Sequence, residues 1–137
     1  MNYPTKEQIL AKKPKFNKQT IELTKTWKDL ALRNWKNDEQ WVKECKITML
    51  IETIANCNFF IEPLIIEDTK YFYDPKNKTI HIDIHNLSII SSLHELAHHI
   101  FGPSELKACR WSIWLFRECF PEQYKNLKWE RHMLKKT

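Results

Sequence analysis

One glycine in 137 residues, Gly102, sets where this chain can reverse without a steric penalty. It stands four residues after the pattern His94-Glu95-Leu96-Ala97-His98, an HExxH that is extended by a second histidine, His99. A helix that stops at Gly102 and turns back sharply needs a residue that accepts positive φ there. On that helix His94 and His98 lie one turn apart on one face, so two imidazoles can share a metal ion. Glu95 projects beside them, where a carboxylate can take a proton from a water. Leu93, Leu96, Ala97 and Ile100 give the same helix an apolar side. The plainer explanation of an HExxH is a surface helix with solvated His and Glu. The amphipathic pattern, a preceding β-hairpin and a reachable third ligand weigh against it.

The bulk composition limits the alternatives. A hydrophobic content of 42% in a chain of this length fits one compact domain. No apolar run approaches the roughly 20 residues of a membrane span. The opening Met1-Asn2-Tyr3-Pro4-Thr5-Lys6-Glu7 has no basic stretch followed by an apolar one, which predicts no secretory leader and a cytoplasmic protein. Cys45, Cys57, Cys109 and Cys119 form no CxxC pair and read as free thiols in a reducing compartment. The net charge of +5 is concentrated in Lys12, Lys13, Lys15 and Lys18 and in Lys128, Arg131, Lys135 and Lys136. Such ends can touch nucleic acid, but no aromatic residues interleave for stacking, and solubilising charge is the commoner role.

The expected fold class is α+β. Residues 1–19 read as a basic N-terminal arm, either loose or a short helix with an extended link, broken by Pro4 and Pro14. Residues 20–137 read as a single domain. Within it, 20–57 form a helical pair, the second helix starting at Asn37-Asp38. Residues 59–85 form a small three-stranded sheet. Phe59 to Glu67 is a strand with Pro63 favouring an edge, and Tyr71 to Ile84 is a hairpin turning at Pro75-Lys76-Asn77-Lys78. Ile80, Ile82 and Ile84 share one face, and His81, Asp83 and His85 the other. Residues 89–133 supply the motif helix and two C-terminal helices, capped by Ser104 and opened by Pro121. The sheet is expected to pack on the motif helix, with the Trp27, Trp35 and Trp41 helices outside and forming one wall of a cleft.

A catalytic zinc site needs three protein ligands and an open position. With His94 and His98 as two and Glu95 as base, the third is sought among Glu105, His99, His81, His85, Cys109 and His132. Glu105 leads, because it opens the helix that follows the reversal at Gly102. Cys109, one turn further on, is the runner-up. His99 points about 100° from His98 and should not share the metal. His81, His85 and Tyr73 are candidates for contact with substrate or an oxyanion, the bland alternative being ordinary strand positions.

The stretch from the hairpin to Pro121 resembles the ImmA/IrrE family of zincin-type metallopeptidases. The likeness is carried by His94-Glu95-Leu96-Ala97-His98-His99 and by Glu105-Leu106-Lys107-Ala108-Cys109-Arg110-Trp111-Ser112-Ile113-Trp114-Leu115-Phe116. It covers roughly residues 71–121, under half of the chain. It departs from the family in a shorter link between the two helices, in Cys109 where Asn is common, and in Lys107 where Glu is common. The resemblance implies a small zincin-like domain, Zn²⁺ held by His94, His98 and Glu105, and Glu95 as the activator of water. It also implies a specific intracellular protein substrate, such as a transcriptional regulator in phage or stress control. The expected activity is zinc-dependent endopeptidase chemistry on a protein or peptide, the substrate pairing with an edge strand near Thr79 to Ile84. A catalytically silent metal-binding adaptor or antirepressor is the competing expectation, and a nucleic-acid-associated protein a third.

Overall fold

The structure is a computed structural model that describes residues 3–136. Met1, Asn2 and Thr137, the ends of the expected arm and domain, lie outside the described residues. The fold is α+β. Helices α1 (Lys6–Leu10), α2 (Lys18–Ala31) and α3 (Gln40–Cys57) precede strands β1 (Leu64–Asp68), β2 (Phe72–Asp74) and β3 (Thr79–Asp83). Helices α4 (Ile89–Phe101), α5 (Glu105–Cys119) and α6 (Pro121–Lys125) follow, and β4 (Leu127–Glu130) and β5 (Met133–Lys136) end the described chain. No helix among the described residues is long and apolar enough to cross a membrane.

Helix α4 is the centre of the molecule. Ser88 caps it, its hydroxyl accepting from the Ser91 amide at 3.2 Å. Leu93, Leu96 and Ala97 are fully buried, so this helix carries the apolar side that its sequence pattern announced. The sheet packs against it in the order β1-β3-β2, with β1 parallel and β2 antiparallel to β3. Ile80 and Ile82 face the core. The strand expected to serve as the free edge, Thr79 to Ile84, is therefore the central one, flanked on both sides. The free edges belong to β1 and β2. Strand β1 begins only after Pro63, because residues 59–63 leave α3 as an extended link.

Helices α2 and α3 form the expected pair. Trp27 is buried between them and donates its indole N–H to the Lys46 carbonyl at 2.8 Å. It is core. Helix α3 starts later than Asn37-Asp38 because those residues close a 3-10 turn over Leu32–Asn37, where the Asp38 amide donates to Asn34 and Trp35. The Asp38 carboxylate is then used by the Lys46 ammonium, which also donates to the Ala31 carbonyl.

Of the two readings of residues 1–19, the described part takes the short helix with an extended link and is not loose. Thr5 and Gln8 form a capping box at α1, and Ile9 is fully buried. Arg110 donates twice to the Gln8 carbonyl, at 3.0 and 2.7 Å, and fastens α1 to α5. The expectation of one helix over residues 121–133 is corrected. Helix α6 stops at Lys125, and Leu127-Lys128-Trp129-Glu130 alternates with the period of a strand. Its hairpin with β5 buries Leu134 against Ile9, Cys109 and Ile113, a second small core behind α5.

Helix α3 ends in a Schellman motif. The Phe60 amide donates to the Ala55 carbonyl and the Phe59 amide to the Asn56 carbonyl. The residue at the left-handed position is Phe59, with φ of 61° and 93% exposure. A bulky residue there costs about 1 kcal/mol, and its ring gains no burial in return. Phe59→Gly is therefore expected to raise the unfolding free energy by about 0.5–1 kcal/mol in urea titrations at unchanged slope. A loss of stability would show that the ring is doing packing that its exposure denies.

Candidate metal centre

The site is made by a reversal of three residues between two helices. Gly102 ends α4 with φ of 90° and ψ of −158°, a conformation close to exclusive to glycine, while its amide still donates to the His98 carbonyl. Pro103 and Ser104 complete the turn, and the Ser104 hydroxyl accepts from the Lys107 amide at 3.2 Å to start α5. Glu105 is thereby the first residue of α5. The positive end of the helix dipole favours a carboxylate there, and the two helices lie side by side.

Three ligand-type side chains converge. The Oε1 of Glu105 lies 3.1 Å from the Nε2 of His94 and 2.6 Å from the Nε2 of His98. The imidazole centroids are 4.9 Å apart with planes at 82°. The Nδ1 of His98 is 2.9 Å from the Gly102 carbonyl oxygen, so the N–H on that nitrogen donates to it. This fixes the ring and turns Nε2 toward Glu105, the second-sphere device common at metal-ligating histidines. Hydrogen bonds from His94 and His98 hold the Glu105 carboxyl far below the usual carboxylate range. The hydrogen bond to Glu105 raises His98.

That donor set fits a zinc-type cation. Tetrahedral ligand atoms at bonds of about 2.0–2.1 Å stand about 3.4 Å apart, so each imidazole nitrogen needs to move less than about 1 Å from the Glu105 oxygen. Cys109 offers a competing donor. Its thiol is 3.9 Å from both His94 Nδ1 and Glu105 Oε2, and atoms of His94, Glu105 and Cys109 lie within 4.8 Å of one another. Burial, and then the charges of Glu105 and Glu95, push that thiol up to about 12. An ion would have to expel its proton, whereas Glu105 is already ionised. His98 is also the closer partner of Glu105, so the cluster offers two overlapping sets, His94, Glu105 and Cys109 or His94, His98 and Glu105.

Glu95 is 9% exposed, and burial raises its carboxyl above the ordinary value against the lowering pull of His94 and His98. It opens on a cleft of about 460 Å³ lined by Phe72, Tyr73, Pro75, Glu95, His98, Gly102 and Pro103. One wall is strand β2, an edge of the sheet. The other candidates separate cleanly. Tyr73 pairs with Ile80 in register, so it shares the face turned to α4 and reaches the cleft. Its hydroxyl is 2.8 Å from His99 Nδ1, and His99 Nε2 is 2.7 Å from the Ile61 carbonyl oxygen. His99 therefore ties α4 to β2 and to the link before β1, and is not a ligand. His81 lies on the opposite sheet face, stacked on Phe72 at 3.8 Å and hydrogen-bonded to Asp68 at 2.9 Å. His85 is exposed just beyond β3 and is not among the residues lining the cleft.

His132, one of the candidate third ligands, approaches the cluster from the turn of the C-terminal hairpin, stacked flat on Tyr3 at 4.4 Å. Its Nε2 is 3.9 Å from Glu105 Oε2, and among the described residues its buried Nδ1 has no partner. The hairpin brings it there, in place of the helix expected over 121–133.

No family model, curated protein or solved structure matches this chain.

Gly102→Ala tests the reversal. An added Cβ meets nothing within 4 Å, so the expected loss of about 1–3 kcal/mol is purely backbone strain. A thermal midpoint unchanged from wild type would mean the turn relaxes and does not hold Glu105 in place.

Proposed function

We propose that the protein is a zinc-dependent metalloendopeptidase that hydrolyses a peptide bond in a specific intracellular protein, a transcriptional regulator being the leading substrate class. The observation that carries this reading is the approach of His94 Nε2 and His98 Nε2 to one oxygen of Glu105, beside a buried Glu95 on the floor of a cleft. The resemblance of residues 71–121 to the ImmA/IrrE family agrees with it. In this reading the protein works in the cytoplasm.

His94, His98 and Glu105 would hold the ion. Bound there, zinc supplies Lewis-acid polarisation of the scissile carbonyl and lowers the pKa of a water. Glu95 would accept a proton from a water in the cleft, and its raised affinity for a proton suits a group that would then hand it to the leaving amine. The substrate lies extended along β2, using the backbone groups of that free edge. The Gly102 carbonyl holds His98 in one orientation throughout. His132 steadies the outer oxygen of Glu105 and so keeps the inner one aimed.

A second reading, a metal-binding adaptor or antirepressor without catalysis, is favoured by one feature. The Tyr73 hydroxyl, the cleft's best placed donor for an oxyanion, is engaged with His99.

Metal content by mass spectrometry decides first. About one zinc per chain is expected for wild type and for Glu95→Gln, with a strong loss in Glu105→Ala. No zinc in wild type after reconstitution would sink the proposal. With metal retained, loss of peptide cleavage in Glu95→Gln supports the enzyme, whereas full biological function in that variant supports the adaptor. For His132→Ala the zinc dissociation constant is expected to rise by about tenfold with the fold intact, as read by competition with a chelating dye. An unchanged constant would remove His132 from the centre.

A further inference from the structure

The sheet has two free edges, and only β2 borders the cleft. The other, β1, runs beside a separate groove of about 550 Å³ lined by Trp41, Cys45 and Met49 of α3 and by Pro63, Leu64 and Ile82. Trp41, Cys45 and Met49 recur at four-residue spacing and form a stripe on the side of α3 turned away from the core. Trp41 is 63% exposed, Met49 59% and Leu64 68%. These are large apolar surfaces left in water next to a row of unpaired strand groups, an arrangement soluble domains usually blunt with lysine or proline. Here Pro63 only precedes the strand, and no lysine lies within β1.

The charges around the groove run against those of the chain. The protein carries +5, yet Glu44, Glu52 and Glu67 line this groove and Glu62 stands beside it. Among the described residues none of the four forms an ion pair. They approach in like-charged pairs, Glu44 with Glu67 and Glu52 with Glu62. Burial, with those neighbours second, raises Glu44 and Glu52 above the usual carboxylate value. Among the described residues, one oxygen of Glu44 is buried without a hydrogen-bond partner. Carboxyl pairs held together beside apolar surface, with no cationic side chain paired to them among the described residues, are favoured by a cation brought from outside.

We propose that the free edge of β1 and the groove between it and α3 form a docking surface for an extended segment of a partner protein that alternates apolar residues with lysine or arginine. The segment adds a strand next to β1, whose five residues span about 16 Å. Its apolar side chains, on the face turned away from α3, cover Leu64 and Ile66, which strand alternation places opposite Ile65 and Glu67. Its cations sit between Glu44 and Glu67 and between Glu52 and Glu62. This surface is distinct from the cleft and does not depend on any metal.

The probe is a capped hexapeptide of alternating lysine and valine, titrated into ¹⁵N-labelled full-length protein and followed by amide chemical shifts. Saturable shifts at Leu64–Asp68 and along Trp41–Glu52, weakening with salt, are expected. The same peptide with glutamate for lysine should leave those amides unmoved. The double variant Glu44→Lys, Glu67→Lys should weaken binding by about tenfold or more. Absence of shifts up to about 1 mM peptide, equal binding of the acidic control, or shifts confined to β2 would each overturn the proposal. So would sedimentation of the free protein as a dimer that Leu64→Lys returns to monomer, since the edge would then belong to a second copy.

Discussion

The carboxylate of Glu105 between two imidazoles is the contact on which the rest of the site depends, and it exists because the chain reverses within three residues. A longer link would let α5 start anywhere along α4. With Gly102, Pro103 and Ser104 alone, the first residue of α5 has to fall opposite the last turn of α4, where His98 is. The Gly102 carbonyl then holds His98 in place while its backbone makes the turn possible. One residue therefore sets both the direction of the chain and the orientation of a ring.

Convergence of charge at one point demands rigid support, and burial provides it from two sides. Leu93, Leu96 and Ala97 lock α4 into the main core with Ile80, Ile82 and Leu115. Behind α5, a second core of Ile9, Cys109, Ile113 and Leu134 joins the two ends of the described chain. Burying three such aliphatic side chains is worth several kcal/mol, more than enough to hold short elements such as α1 and β5 that could not stand alone. The same packing brings His132 to Glu105. The second core is therefore a structural reason for the terminal segments to fold and the means by which a distant histidine reaches the site.

What the sequence made legible was whatever rested on local signals. The helix of His94 to His99, the turn at Gly102, Ser104 as a cap and the hairpin at Pro75-Lys76-Asn77-Lys78 all stand where spacing and turn chemistry put them. Glu105 was reachable by the same means, since only its distance from the reversal was needed. Features that rest on tertiary partners were not legible. Ile9 opens a run of only three apolar residues in a lysine-rich stretch, and nothing nearby says that Trp114 and Arg110 will bond the backbone around it. The left-handed residues Phe59, Lys78 and Arg131 are not glycine or asparagine, so the turn at Arg131-His132 carried no signal and the C-terminal hairpin read as helix. Central and edge positions in the sheet are likewise set by pairing across a crossover, which periodicity cannot see.

The two faces of the sheet show how far alternation alone could have gone. Period two places His81 opposite Ile80, and the core takes the isoleucine side, so His81 faces away from α4 whatever the details. Tyr73 pairs with Ile80 across the hairpin and must share its side, which puts it in the cleft. Register, once known, sorts these two candidates without any side-chain coordinates. It also separates the two edges by character. Strand β2 is three residues long and lies against the charged centre, whereas β1 is longer, more apolar and flanked by carboxylates. A sheet of three strands cannot close on itself, so both edges remain. In this protein each is bordered by a different chemistry, the imidazoles gathered around Glu105 on one side and the carboxyls of Glu44 and Glu67 on the other.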